Sequence, residues 1–452
     1  MDQVKRWTLV ASILGSSMAF IDGSVVNVAL HAIEGDLGGG LAAQQWIVDA
    51  YLLTLGSLIL VGGSLGDIFG ELRMFTLGVA AFGVASVLCA FAPDATTLVV
   101  FRGIQGVAGA LLTPASLAVI TSTFSGAERG AAIGTWTAWS GISFVIGPLL
   151  GGWLIGVSSW RVIFLLNVPV ALVTVTIASR LRGQRHDLRK GVRVDLPGAF
   201  LCAAGLGLLV AGFIEQPSLG WHDPLVPGGI AGGLVLLALF VVYEMHAPAP
   251  MLPLELFRRR NFSVTNVETL SVYGGLSGLS VFLSLYLLEF CGYDPFHAGL
   301  ATLPITIVMF FLSRVAGRLS MQHGPHAFMA AGPLVAGLSL IPLARLPSNP
   351  NYWVDLLPAL LGFSLGLAMT VAPLTTTVLS DAGPGDAGIA SGVNNAVARV
   401  AGLVAVAVLG IAAAGGGDHL SKRGFHHAML VVCALLAAGG LIGAVGIRNR
   451  PT

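Results

Sequence analysis

Charge is what this chain has least of: 10% of its 452 residues are Asp, Glu, Lys or Arg, against about a quarter in an ordinary soluble domain. Together with 55% hydrophobic residues and a mean hydropathy of +0.86, that scarcity excludes a soluble globular protein. A formal net charge of +1 offers no global attraction to nucleic acid, and no such partner is expected. Cysteine is sparse as well. Cys89, Cys202, Cys291 and Cys433 stand far apart with no paired spacing, which argues against a disulfide framework or a cysteine metal site and leaves packing as their role. No HExxH, nucleophile elbow, P-loop or acidic metal pair occurs, so the chain is not expected to be an enzyme or to hold a metal or cofactor. The 10 histidines fall in loops or near the ends of apolar runs, which favours carboxylates as buried proton carriers.

What is present is apolar sequence in long runs. A membrane span needs roughly 20 such residues, and charged or turn-rich breaks divide the chain into fourteen candidates: 8–30, 44–64, 74–93, 96–123, 130–155, 160–180, 195–215, 225–246, 262–288, 295–315, 326–345, 352–379, 386–412 and 426–447. The fold class is therefore an all-α polytopic membrane protein with 14 transmembrane helices. Sixty glycines and 22 prolines suit a bundle in which small residues let helices approach closely. The first run has a basic flank, Lys5 and Arg6, but it is too long for a signal peptide and lacks a small-residue cleavage site, so it reads as helix 1. An even count puts both termini on one side. Seventeen lysines and arginines fall on that side and four on the other, which makes the termini cytoplasmic. A monomer in the plasma membrane is expected, with the bilayer as its surroundings.

A repeat lies in the connections. GSLGDIFG (63–70) after span 2 is matched by GRLSMQHG (317–324) after span 10, at an offset of 254. ERGAAIG (128–134) is matched by DAGIASG (386–392) at 258, and Pro114 by Pro373 at 259. Three matches in one order divide the chain into an N-terminal six-helix half, 1–181, a basic loop with two extra helices, 182–257, and a C-terminal six-helix half, 258–452. Parallel halves with a site between them are a transporter plan. The extra pair carries no mid-membrane charge and reads as structural.

Inside the spans a few polar residues stand out. FIDGSVVNVAL (20–30) places Asp22 and Asn27 in an apolar helix, where an ionisable group costs about 2.5–3.5 kcal/mol unless it faces the bundle interior or a wet cavity. At 1.5 Å per residue Asp22 lies roughly 21 Å from the cytoplasmic start of its span, while Arg102 and Asp49 lie roughly 9 and 8 Å from the outer surface. Arg399 reaches the same level from span 13. The carboxylate of Asp22 can thus be held by Arg102, and a proton or substrate can change that pairing. Glu268, roughly 9 Å into span 9, is the other buried acid, placed to meet a cationic substrate or a second proton. Asp22, Arg102, Asp49 and Glu268 are the proton-coupling candidates, with a static salt bridge or cap the alternative for each acid. Asn27, Gln105, Trp136, Trp139, Asn394, Asn395 and Arg399 are the substrate-cavity candidates, with interhelical hydrogen bonding equally open for the two asparagines of span 13 and simple packing open for the tryptophans.

Several motifs carry a resemblance. GGSLGDIFGELR (62–73) resembles the loop 2–3 signature of the major facilitator superfamily, and VVFRGIQGVAGA (99–110) its helix 4 motif. GISFVIGPLLGG (141–152) is similar to the helix 5 antiporter signature. FIDGSVVNVAL and SSWRVIFLLNVP (158–169) resemble helices 1 and 6 of the fourteen-helix drug:proton antiporter branch. The resemblance implies a proton-coupled exporter of amphipathic drugs or antibiotics working by alternating access, with a dedicated exporter of a host natural product or lipid as the alternative. It implies conformational roles for Gly63, Asp67, Gly70, Arg73, Gly147, Pro148, Gly151 and Gly152. The loop departs from the signature in keeping only Arg73 of several basic residues, so a latch through Asp67 would be weaker or would recruit Arg129.

Overall fold

The structure is a computed structural model that describes residues 3–181, 194–248, 250–252, 254–347, 349–382, 387–414 and 420–449, without the side chains of residues 67, 126, 127, 129–131, 134, 137, 138, 140–142, 144, 145, 382 and 387–389. With no water in a bilayer core, every backbone N–H and C=O must be satisfied within its own segment, and helices do this. In chain order they are α1 (Gln3–Leu37), α2 (Gly40–Phe69), α3 (Glu71–Ala90), α4 (Ala95–Thr123), α5 (Gly126–Val157), α6 (Arg161–Leu165), α7 (Asn167–Arg180), α8 (Leu196–Leu219), α9 (Leu225–Glu244), α10 (Arg260–Glu289), α11 (Pro295–His323), α12 (His326–Ser339), α13 (Leu357–Ala382), α14 (Ala387–Ala414) and α15 (Lys422–Gly446). Among the described residues 13 helical segments are long and apolar enough to cross a membrane, α6 and α7 counting together, and α5 carries the shorter apolar run Ile146–Val157. The all-α, many-span architecture expected from hydropathy is the one the chain adopts.

The connection after α2 corrects the sequence reading. GSLGDIFG is not a loop: α2 continues through Phe69, and Gly70 alone, at φ 95° and ψ 129°, turns the chain into α3. The run has no proline to interrupt the backbone ladder, so its internal glycines stay helical, and the reversal falls at Gly70, where positive φ is tolerated. Its counterpart behaves alike, with α11 running to His323 and Gly324 at φ 86°. Arg73 is exposed. The side chains of Asp67 and Arg129, and with them the proposed latch, lie outside the described residues, as does most of the basic segment before α8. At the start of α4, Asp94 caps the helix by accepting from the Thr97 N–H at 2.8 Å. That bond, with the Thr97 hydroxyl, holds the exposed Asp94 carboxyl below the usual carboxylate range.

The chain divides into two compact units, the first made of 1–207, 233–251 and 294–296, the second of 208–232, 252–293 and 297–452. In the first unit α1 packs along α5 and against α4 and α7, α2 packs on α4, and α3 on α4 and α7. Glycines set these approaches. A methyl group on Gly62 would stand 2.0 Å from the Ala110 carbonyl oxygen, and one on Gly106 would stand 2.4 Å from that of Tyr51. In the second unit α10 packs on α14 and α15, and α12 on α13 and α15. The pairing order is that of α1 with α5 and α7, and of α3 with α4 and α7. Both α8 and α9 contribute to both units.

Candidate functional site

α4 builds the site. In FRGIQG, Arg102 and Gln105 are three residues apart and share one helix face, while Gly103 and Gly106 present bare backbone to α2. Thr54 on α2 donates its hydroxyl to the Gly103 carbonyl at 2.7 Å, holding the two helices together. The polar face of α4 then meets Asp22 on α1. Arg102 Nη1 donates to Asp22 Oδ2 at 2.5 Å, and both residues are buried, at 1% and 0% exposure. Gln105 Nε2 donates to Asp22 Oδ1 at 2.9 Å, and its Oε1 accepts from Arg102 Nη1 at 2.6 Å. Arg102 also donates from Nε to the Ile47 carbonyl at 3.0 Å, and its guanidinium lies over the Tyr51 ring, 4.4 Å from the centroid. Every oxygen of Asp22 therefore faces a donor. Breaking such a buried pair by removing one partner costs about 3–5 kcal/mol, because the other charge stays desolvated.

Two further residues close the network, and sequence reasoning missed both. Asn167, at the start of α7, reaches Asp22 Oδ1 at 3.4 Å and the Ser86 hydroxyl at 3.2 Å from its Nδ2. Ser86, on α3, also accepts from Gln105 at 2.9 Å. A lone amide in the apolar stretch FLLNVP was the available signal for Asn167; nothing in the sequence around Ser86 distinguishes it from the small residues that pack helices. Gln105, expected at a substrate cavity, is fully buried within this charge network.

The other expected residues lie elsewhere. Asp49 is buried on α2, and among the described residues neither of its carboxylate oxygens has a hydrogen-bond partner. Asn27 is buried on α1. Trp136 on α5 donates from Nε1 to Ser16 at 2.9 Å and meets the Phe20 ring edge-on, and Trp139 is 49% exposed. Gly147 and Gly151 lie against α1: a methyl group on either would stand 2.0 Å from Ser24 Oγ or 2.1 Å from Val25 Cγ2. Pro148 and Gly152 lie within the same continuous helix α5. In the second unit Asn394 donates to Thr269 at 2.8 Å and Asn266 at 3.2 Å, an interhelical role. Asn395 is exposed and bonds within its own helix, and Arg399 is half-buried on α14. Glu268, expected to meet a cationic substrate or a second proton, is fully buried on α10, and among the described residues neither of its oxygens has a partner.

Both ends of α1 are fastened to its neighbours. Lys5 pairs with Glu128 at the start of α5, at 2.5 Å. Asp36 accepts from Arg161 and, at 3.0 Å, from the Trp160 indole, which explains the Trp-Arg step before α6. Exposed pairs of this kind are screened by solvent and add little to stability.

Known proteins place this geometry. The chain matches the Major Facilitator Superfamily over residues 12–406. It is 36% identical over 422 residues to the puromycin resistance protein pur8 of Streptomyces alboniger, covering 92% of this chain and 83% of that one. It is 32% identical over 405 residues to the tetracenomycin C resistance and export protein of Streptomyces glaucescens, covering 89% and 75%. Among solved structures, a peptide transporter POT in complex with sulfate superposes with a TM-score of 0.72 at 15% identity, covering 96% of this chain and 93% of that chain, a likeness of fold alone. A family match that begins within α1 and ends within α14, joined to that level of identity over nearly the whole chain, makes this protein a member of the Major Facilitator Superfamily.

Proposed function

We propose that the chain is a proton-coupled secondary transporter that exports amphipathic organic compounds of the antibiotic class across the plasma membrane by alternating access. The observation that carries this reading is the buried Asp22–Arg102–Gln105–Asn167 network. A carboxylate so placed takes up a proton only by giving up its charge attraction to Arg102, and a change in that pairing alters how α1 is held to α4 and α7. Proton occupancy is thereby tied to helix packing, which is what coupling requires. The roles named for the relatives, antibiotic resistance and export, supply the cargo class. The division into an N-terminal half, an extra helix pair and a C-terminal half belongs to the same proposal, as do a monomeric state and cytoplasmic termini.

In proteoliposomes with an imposed pH gradient, adding a transported drug is expected to produce a proton flux opposite in direction to the drug. No flux with any compound that the protein moves would overturn the coupling. The relatives' single-compound names favour a narrower second reading, a dedicated exporter of one natural product. A growth-inhibition panel in a pump-deficient host separates the two, since protection against one chemical class alone selects the narrow reading.

Orientation follows from the charge distribution. With the native cysteines replaced, a cysteine at Trp221, between α8 and α9, is expected to react with an impermeant maleimide on intact cells, and one at Lys190 only after permeabilisation. Gly39 is the poorer outer position, since its φ of 96° strains any side chain. Labelling of the Lys190 site on intact cells would reverse the assignment.

A further inference from the structure

The second unit contains a buried acid whose surroundings differ in kind from those of Asp22. Glu268 is 0% exposed, and no described hydrogen bond or ion pair reaches either oxygen. Thr265, one turn earlier on α10, is equally buried, and its hydroxyl also lacks a partner. An ionised carboxylate so enclosed is cut off from bulk solvent and, among the described residues, has no counter-charge to offset its desolvation. Converging on the same point of α15 is a carbonyl with a defect of its own. Met329, in the first turn of α12, would give its carbonyl to the N–H four residues on, but that residue is Pro333, which has none. The two groups flank one glycine. A methyl group on Gly443 would stand 2.6 Å from the Met329 oxygen and 3.1 Å from Glu268 Oε2.

A carboxylate and a carbonyl whose i+4 donor is replaced by proline are both acceptors and repel each other. A carboxylic acid and such a carbonyl complement each other. We propose that Glu268 carries a proton in this conformation and donates its O–H to the Met329 carbonyl released by Pro333, so that the second unit holds a proton site of its own, built without a cation.

The charged groups on the elements packed around Glu268 are otherwise engaged or distant from it. At the start of α10, Arg260 donates to the carbonyls of Gly446 at 2.8 Å and Val445 at 2.9 Å. His326 on α12 bonds through Nε2 to the Ala444 carbonyl at 2.8 Å. Asp381 on α13 accepts from the Phe262 N–H at 2.9 Å. From α14, Asn394 is bonded to Thr269 and Asn266, and Arg399 has no described bond to Glu268. Arg260 and His326 thus close the end of α15 next to Gly443, so a proton leaves Glu268 only when the seam between α10, α12 and α15 opens. This makes the site responsive to conformation. Its place in the transport cycle rests on the proton-coupled reading above, whereas its protonation does not.

Infrared difference spectroscopy of the purified protein in lipid nanodiscs tests it. At neutral pH the wild type is expected to show a protonated-carboxyl C=O band that is missing from Glu268→Gln. Pro333→Ala, which returns an N–H to the Met329 carbonyl, is expected to move that band to higher frequency and to lower the pH at which it is lost. Identical carboxyl bands in wild type and Glu268→Gln would mean that Glu268 is ionised, and the proposal fails. A band untouched by Pro333→Ala would remove Met329 as its acceptor, and this arm stands even if Glu268→Gln does not fold. For the cycle, Glu268→Gln is expected to reduce by one the protons exchanged per drug, read from the reversal potential, while export continues. An unchanged ratio would make the site a resident proton that is never exchanged.

Discussion

Asp22→Asn is expected to reduce uphill export to equilibration: in everted vesicles the drug accumulation ratio falls to one, while downhill exchange of labelled drug continues. The amide keeps the shape of the side chain and can still accept from Gln105 Nε2, now 2.9 Å from Asp22 Oδ1. It cannot titrate. Arg102 loses its counter-charge, at a cost of about 3–5 kcal/mol if nothing else compensates. Here the Ile47 carbonyl, the Gln105 Oε1 and the Tyr51 ring continue to hold the guanidinium, so the variant is expected to purify as a folded protein. Uphill accumulation by Asp22→Asn would remove Asp22 as the carrier and turn attention to Asp49, a further buried acid of the first unit.

A comparable loss, of folded protein instead of coupling, is expected from adding one methyl group at Gly62 or Gly106. Replacing a helical glycine by alanine ordinarily gains roughly 1 kcal/mol in helix propensity. At these two positions the new carbon would stand 2.0 Å from the Ala110 carbonyl oxygen or 2.4 Å from that of Tyr51. Those obstacles are backbone and cannot rotate away, so α2 and α4 must separate. Overpacking of this kind costs about 1–3 kcal/mol or more, and the separation would pull Thr54 from Gly103 and tilt Arg102 away from Asp22. Gly103→Ala is the control, because its nearest neighbour would be Thr54 Cγ2 at 3.9 Å. Thermal unfolding in detergent should show Gly62→Ala and Gly106→Ala several degrees below wild type and Gly103→Ala level with it or above. Equal stability of all three would mean that the α2–α4 contact is looser than described.

The helices were legible because hydropathy and the need to satisfy backbone groups in lipid act on every residue of a span. The span ends were less so: hydrophobicity falls off before the helix does, and the end of α2 was read as a loop although backbone bonding persists to Phe69. Depth along a helix is a linear count, which brings Asp22 and Arg102 to one level from sequence alone. Rotational phase is not a linear count. Whether Gln105 faces a cavity or the Asp22 carboxylate, and whether Glu268 faces open space or α12 and α15, depends on which neighbours surround each helix. That requires tertiary packing. Ser86 and Asn167 were missed for the same reason, since a small polar side chain in an apolar run acquires a role only from what lies opposite it.

The single-residue connection at Gly70 has a consequence for biogenesis. A nascent chain leaving a translocation channel can place two successive spans independently only if slack between them lets one settle before the other arrives. Between α2 and α3 there is none. The two segments are therefore expected to enter lipid together, as one helical hairpin.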